Sequence, residues 1–170
     1  MSHSSTNPFL QDDLKDTAVI FKPGDGEILR MGGSKITLKV TSSISNDQLG
    51  VYEIALAPNT VGAQLHYHRF MDETFIVNEG TLTVKHGETE VEAEPGTIVY
   101  IPRFTPHAFA NRSSAQAVIT LIFNPAQKRE GFFHGLQRIL TATPVNPDDY
   151  LALYSKYDSY PVDVSNMLPV

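Results

Sequence analysis

Apolar positions recur along most of this chain in short alternating runs, each closed by residues that turn the backbone. Lys35 to Thr41 sets Ile36, Leu38 and Val40 against polar neighbours, and Thr81 to Lys85 alternates in the same way. A period of two marks a strand with one buried face. Similar runs, dense in β-branched residues, cover Thr17 to Phe21, Glu27 to Met31, Leu49 to Ala57, Gln64 to His68, Glu73 to Val77, Glu88 to Ala93, Thr97 to Ile101, His107 to Asn111 and Gln116 to Phe123. Pro23-Gly24-Asp25-Gly26, Gly32-Gly33, Pro58-Asn59, Asn78-Glu79-Gly80 and Pro95-Gly96 supply the turns between them. About ten short strands at roughly ten-residue spacing predict an all-β sandwich or barrel. No helical pattern separates the runs, which argues against a parallel βαβ sheet.

The periodicity changes after Asn124-Pro125. Phe132, Phe133, Leu136, Ile139 and Leu140 fall at the spacing of one helical face. Asn146, then Pro147 and two acids, reads as an N-cap with proline in the first turn. The second helix should end near Tyr157 and bury Leu151, Leu153 or Tyr154 against the sandwich. The chain then reads as one domain over 1–170: a loose polar arm at 1–15, a β core at 17–123 and a helical extension at 127–170.

Composition narrows the functions open to such a domain. The chain has 170 residues and a formal net charge of −6, with no block of Lys or Arg, so nucleic acid is not an expected partner. Cysteine is absent, which excludes disulfides, thiolate catalysis and cysteine-held zinc. The polar start carries no apolar leader and no run is long enough to span a bilayer. No membrane partner is expected, and the cytoplasm is the expected compartment.

The chemistry concentrates in His66-Tyr67-His68-Arg69-Phe70-Met71-Asp72-Glu73. On a strand, His66 and His68 project to the same face. Glu73 joins that face if the chain bends around residues 69–72 and starts a new strand. Asp72 is the rival carboxylate if it does not. A second stretch, Gly96 to Asn111, carries Pro102 and Pro106 around a stiff loop that delivers His107 to the next strand. Two imidazoles and a carboxylate with a third imidazole suit a divalent first-row metal.

His66, His68, Glu73 and Gly80, at their spacing, resemble the first motif of the cupin superfamily, and Gly96, Pro102, His107 and Asn111 resemble its second. The resemblance covers Leu49 to Phe123. It implies a double-stranded β-helix, the jelly roll or cupin barrel, here with two short C-terminal α-helices. It implies His66, His68, Glu73 and His107 as ligands of one Fe, Mn, Ni, Zn or Cu ion, and Phe75, Phe104 and Phe109 around a substrate pocket. Thr60 stands where the family has a glycine, with Gly62 displaced from it. Phe104 also replaces a family glycine, which implies a narrower, more apolar mouth. The tail from Glu130-Gly131-Phe132-Phe133 to Tyr157 is similar to the extension of quercetin-dioxygenase-like single-domain cupins. These likenesses imply a dioxygenase acting on a small phenolic or enol substrate, with Glu73 as anionic ligand or as catalytic proton acceptor. A metal-dependent isomerase or lyase fits the same ligands, as does a non-catalytic small-molecule-binding cupin. A homodimer formed through residues between Thr17 and Val40 is the expected assembly.

Overall fold

Strands form where the alternating runs predict them, in a computed structural model that describes residues 17–166. They are β1 (Glu27–Met31), β2 (Ser34–Val40), β3 (Gly50–Leu56), β4 (Thr60–Tyr67), β5 (Asp72–Glu79), β6 (Leu82–His86), β7 (Thr89–Ala93), β8 (Ile98–Ile101), β9 (His107–Asn111) and β10 (Ala117–Asn124). A short β11 (Tyr160–Pro161) and a one-turn α1 (Ser42–Ser45) were not legible in the pattern. The expected loose arm at 1–15 lies outside the described residues. Thr17 to Phe21 does not form the expected strand. Val19 and Ile20 are exposed there, and among the described residues no neighbouring strand offers the ladder hydrogen bonds that would fix such a run.

The strands pair into two antiparallel sheets, β1-β2-β3-β10-β5-β8 and β11-β4-β9-β6-β7, which is the jelly-roll arrangement. Alternation explains which side chains meet between them. In β5, Glu73, Phe75 and Val77 are buried while their neighbours are half-exposed, and in β10 the same holds for Ala117, Ile119, Leu121 and Phe123. In β9, His107, Phe109 and Asn111 turn inward. One inward register thus carries both the apolar core and the polar groups of the site.

Two glycines allow close approaches. Gly80 follows β5 with φ +70°, and a Cβ there would meet the Gln116 carbonyl. Gly62 in β4 lies against Phe109, and a Cβ would overlap the ring. The displaced glycine of the first motif therefore makes room for an aromatic side chain inside the barrel.

Beyond β10 come α2 (Arg129–Leu140) and α3 (Pro147–Lys156). Asn146 caps α3 as expected, its side chain accepting from the Asp148 amide at 3.0 Å. Of the three expected contact residues, Leu153 and Tyr154 are buried and Leu151 is half-buried. Phe133 of α2 packs edge-on against Tyr52 of β3, with ring centroids 4.8 Å apart, and Phe132 lies beside Tyr154 at 5.2 Å. Full burial of each such ring contributes roughly 2–3 kcal/mol relative to exposure. Glu130 accepts from the Tyr52 hydroxyl at 3.2 Å and the Ser42 amide at 3.3 Å, tying α2 to the sheet and to α1. The helical extension is therefore part of the packed body and forms one wall of its interior.

Candidate metal centre

Each of the four expected ligands comes from a different piece of local geometry. His66 lies near the end of β4, directly opposite His107 in the β4–β9 ladder, so one sheet presents two imidazoles side by side. His68 follows β4, and the chain then bends through residues 69–71 before β5 begins. Glu73 projects inward from the facing sheet, paired in register with Phe123 and Ile101. All four are buried, and one donor atom from each lies within 4.8 Å of the others. Asp72 faces outward and bonds the Arg103 guanidinium at 3.0 and 3.3 Å, which holds its carboxyl near a pKa of about 2. The bend thus decides between the rival carboxylates in favour of Glu73.

Hydrogen bonds orient the rings. The Nδ1 atoms of His66, His68 and His107 lie 2.8, 2.6 and 2.9 Å from the carbonyls of Gln64, Asp158 and Thr105. A carbonyl only accepts, so each Nδ1 carries hydrogen and the neutral ring directs a bare Nε2 lone pair toward the centre. Glu73 Oε2 stands 2.7 Å from His107 Nε2 and 2.9 Å from His68 Nε2. Burial works to lower the basicity of His107, but the Glu73 charge and hydrogen bond outweigh it and raise the pKa. Burial works to raise the Glu73 pKa, and the His107 charge and hydrogen bond pull it well below the ordinary carboxylate range. His68 is lowered by burial, against the pull of Glu73. His66 is lowered further, by burial and then by the charges of His107 and His68.

A proton on His107 therefore satisfies one contact to Glu73. The neutral His68 leaves a nitrogen lone pair facing a carboxylate oxygen at 2.9 Å. A divalent cation among the four atoms resolves both contacts at once, and N₃O donors are the chemistry such ions take. The residues fit a first-row metal.

Metal binding must then release the His107 proton. In the metal-free protein the raised His107 pKa contributes stability below the unfolded value near 6.5, and that contribution is lost as pH rises through the raised value. Metal affinity should accordingly climb by about tenfold per pH unit until His107 is neutral, then level off. Calorimetric titration with Zn(II) between about pH 6 and about pH 9 checks this. An affinity flat across that window would contradict the proton–metal competition.

Two residues of the centre, His66 and Glu73, line a cavity of about 360 Å³. Ile54, Leu121 and Phe123 form the sheet wall, and Phe132, Phe133 and Tyr154 form the helical wall. Of the three phenylalanines expected at the pocket, Phe109 lines it. Phe75 is fully buried behind Phe109, with ring centroids 5.1 Å apart. Phe104 does not line this cavity and is 64% exposed. Its backbone, at φ 65°, donates to the His68 carbonyl at 2.7 Å, and the turn carries the ring to the surface. The expected narrowing of the mouth by Phe104 is thus not seen at this cavity.

Three groups at the centre have no signal in the local pattern. Asp158 fixes the His68 ring through its carbonyl and the following bend through its carboxylate, which accepts from the Arg69 and Phe70 amides at 3.0 and 2.8 Å. Tyr150 and Tyr154 line the cavity and share a hydrogen bond of 2.8 Å. Arg129 lines it too, and is 4% exposed. A cation in the first turn of a helix opposes the helix dipole, which is the one oddity that could have drawn notice to it.

Comparison with known proteins agrees with the fold. Residues 52–123 match the family described as Cupin domain. The chain is 30% identical over 105 residues to the tetracenomycin polyketide synthase protein TcmJ of Streptomyces glaucescens, covering 62% of this chain and 70% of that protein. A sugar phosphate isomerase of Silicibacter pomeroyi superposes with a TM-score of 0.51 at 26% identity, over 57% of this chain and 62% of that one. This chain thus spans less than two thirds of that isomerase. An RmlC-like cupin of Shewanella frigidimarina superposes with a TM-score of 0.57 at 18% identity, over 67% and 96%, and speaks for the fold alone.

Proposed function

The chain belongs to the cupin superfamily, and we propose that within it the protein is a metal-dependent dioxygenase acting on a small phenolic or enol substrate. The observation that carries this is the convergence of three buried imidazoles and one buried carboxylate, with His66 and Glu73 lining a largely apolar cavity. An ion held by His66, His68, Glu73 and His107 would keep open positions and supply Lewis acidity toward a substrate oxygen. The chain's own residues would do the rest. Phe109, Phe123 and Phe132 would pack an unsaturated body and keep water out. Glu73 Oε2, no longer accepting from His107 once the ion is held, would accept the hydroxyl proton of a phenol or enol.

A second reading, a metal-dependent isomerase or lyase, draws on the likeness to the sugar phosphate isomerase. The cavity argues against a sugar phosphate, because Arg129 is the one Lys or Arg among its lining residues and the walls are largely apolar. Oxygen uptake by protein loaded in turn with Fe, Mn, Ni, Zn and Cu, across a panel of flavonols, phenols and enediols, tests the proposal. Uptake coupled to loss of one substrate is the expected result. No uptake with any metal, together with isomerisation or cleavage of a hydroxy-carbonyl compound, would overturn it.

The same reading includes a homodimer. Val19, Ile20 and Ile28 are exposed, and β1 is an outer strand of its sheet, so a partner would cover an apolar edge. Residues 34–40 are already paired with β3 within the chain, which confines the expected contact to the part before them. Light scattering at micromolar concentration should return twice the chain mass of 18.8 kDa, and a monomeric mass would count against the dimer.

A further inference from the structure

Arg129 is a buried cation whose hydrogen bonds, among the described residues, do not include a carboxylate. Its Nη1 donates to the Tyr157 carbonyl and to the Ser159 hydroxyl, both at 2.9 Å. Its Nε hydrogen is buried and has no acceptor among the described residues. The guanidinium carbon sits 3.7 Å from the centre of the Phe132 ring and 4.8 Å from that of Phe123. These two contacts hold the charged plane in place against the cavity wall. Burial lowers its pKa and the Glu73 charge raises it, yet guanidinium stays protonated in proteins.

Burying an unpaired charge is costly, and a buried donor left without a partner adds to that cost. A fold retains such a group more readily where a ligand completes it. The cavity lined by Arg129 offers a place for one, since His66 and Glu73 line it as well. Glu73, the carboxylate along it, is already engaged at 2.9 and 2.7 Å by His68 and His107. Tyr150 and Tyr154 are kept protonated, with pKa values raised chiefly by burial. With a divalent ion at the four-residue centre, Glu73 supplies one negative charge against three positive ones, and the cavity favours an anion more strongly still.

We propose that Arg129 is the anion-recognition residue of this cavity, and that its ligand is a small aromatic carboxylate whose ring packs between the sheet and α2 while its carboxylate meets the guanidinium. This deepens the reading of the cavity as the substrate site and rests on it, but it does not depend on oxygen chemistry. The planar guanidinium offers directional donors to a carboxylate, which a neutral amide cannot match. The recognition element thus comes from the helical extension, outside the matched residues 52–123.

The probes are 2-hydroxybenzoate and its neutral near-isostere 2-hydroxybenzamide, titrated by calorimetry into the full-length protein, both metal-free and loaded with Zn(II). The parent protein should prefer the carboxylate by about tenfold or more in both forms, the scale of one charge-assisted hydrogen bond. Arg129→Met should bring the ratio close to one, and Arg129→Lys should keep part of it. A merely structural Arg129 would lower the melting temperature of the variants and leave the ratio unmoved. The proposal is overturned by a parent ratio near one, by failure of the parent to bind the carboxylate, or by a folded Arg129→Met variant that keeps the preference. The parent ratio decides by itself if Arg129→Met does not fold. Carboxylate preference without oxygen uptake on any substrate would sink the dioxygenase reading alone, and the reverse result would sink the anion site alone.

Discussion

Replacing Glu73 with Gln should cut turnover by about 10² to 10⁴, the usual scale of a general-base contribution, while metal content falls much less. The substitution keeps the size and one oxygen but removes the charge and the basicity. Glu73 is 2% exposed, and its Oε2 meets both His68 and His107, so little solvent can take over the proton. Three imidazoles remain, each still held through Nδ1 by a backbone carbonyl, so the metal keeps most of its ligands. Turnover is read on whichever substrate the oxygen-uptake panel identifies, and metal content by elemental analysis of the same preparation. A variant that keeps its metal and the parent rate would sink the general-base role. Loss of metal and of thermal stability, with turnover per bound ion unchanged, would leave Glu73 as an anionic ligand only.

Asn111→Ala should destabilise the fold by about 3 kcal/mol, more than a typical single substitution. Asn111 is fully buried at the end of β9. Its Nδ2 donates to the carbonyls of Leu56, Ala57 and Ala115 at 3.0, 3.0 and 2.7 Å. Its Oδ1 accepts from the amide and hydroxyl of Ser113 at 3.0 and 2.8 Å. One side chain thus joins the end of β3 to the turn between β9 and β10, and alanine leaves those carbonyls without it in a place water reaches poorly. Asn111→Asp should be worse, since a carboxylate would confront the same carbonyls with no donor. Urea unfolding, with an unchanged denaturant slope, measures both, and a loss below about 0.5 kcal/mol for alanine would contradict this account.

Asn111 illustrates how the motifs were informative and where they stopped. Its place in the second motif was visible beside Gly96, Pro102 and His107, but its work is to join strands far apart in the chain, which spacing alone does not reveal. The convergence of four residues that could hold a metal was legible because ladder register turns spacing into proximity: His66 and His68 two apart, Glu73 after a bend, His107 opposite His66. Phe109 was legible by parity with His107. Phe104 was not, because the sign of φ in its turn, +65°, decides whether the ring faces inward or out.

Alternation, turn residues and the two motifs by themselves determined an antiparallel β domain, the positions of nearly all its strands, two terminal helices and four converging residues that could hold a metal. The strands rest on a period of two, the helices on a helical period and the four converging residues on motif spacing, all of them readable along the chain. Tertiary structure alone decided the rest. Thr17 to Phe21 has no neighbouring strand among the described residues and forms none itself, however strand-like its residues. Asp158 reaches His68 across ninety positions of chain, and Arg129, Tyr150 and Tyr154 become cavity walls because the helices fold back over the sheet. A buried charge or an orienting carbonyl takes its meaning from what lies against it, and no periodicity in the chain encodes that neighbour.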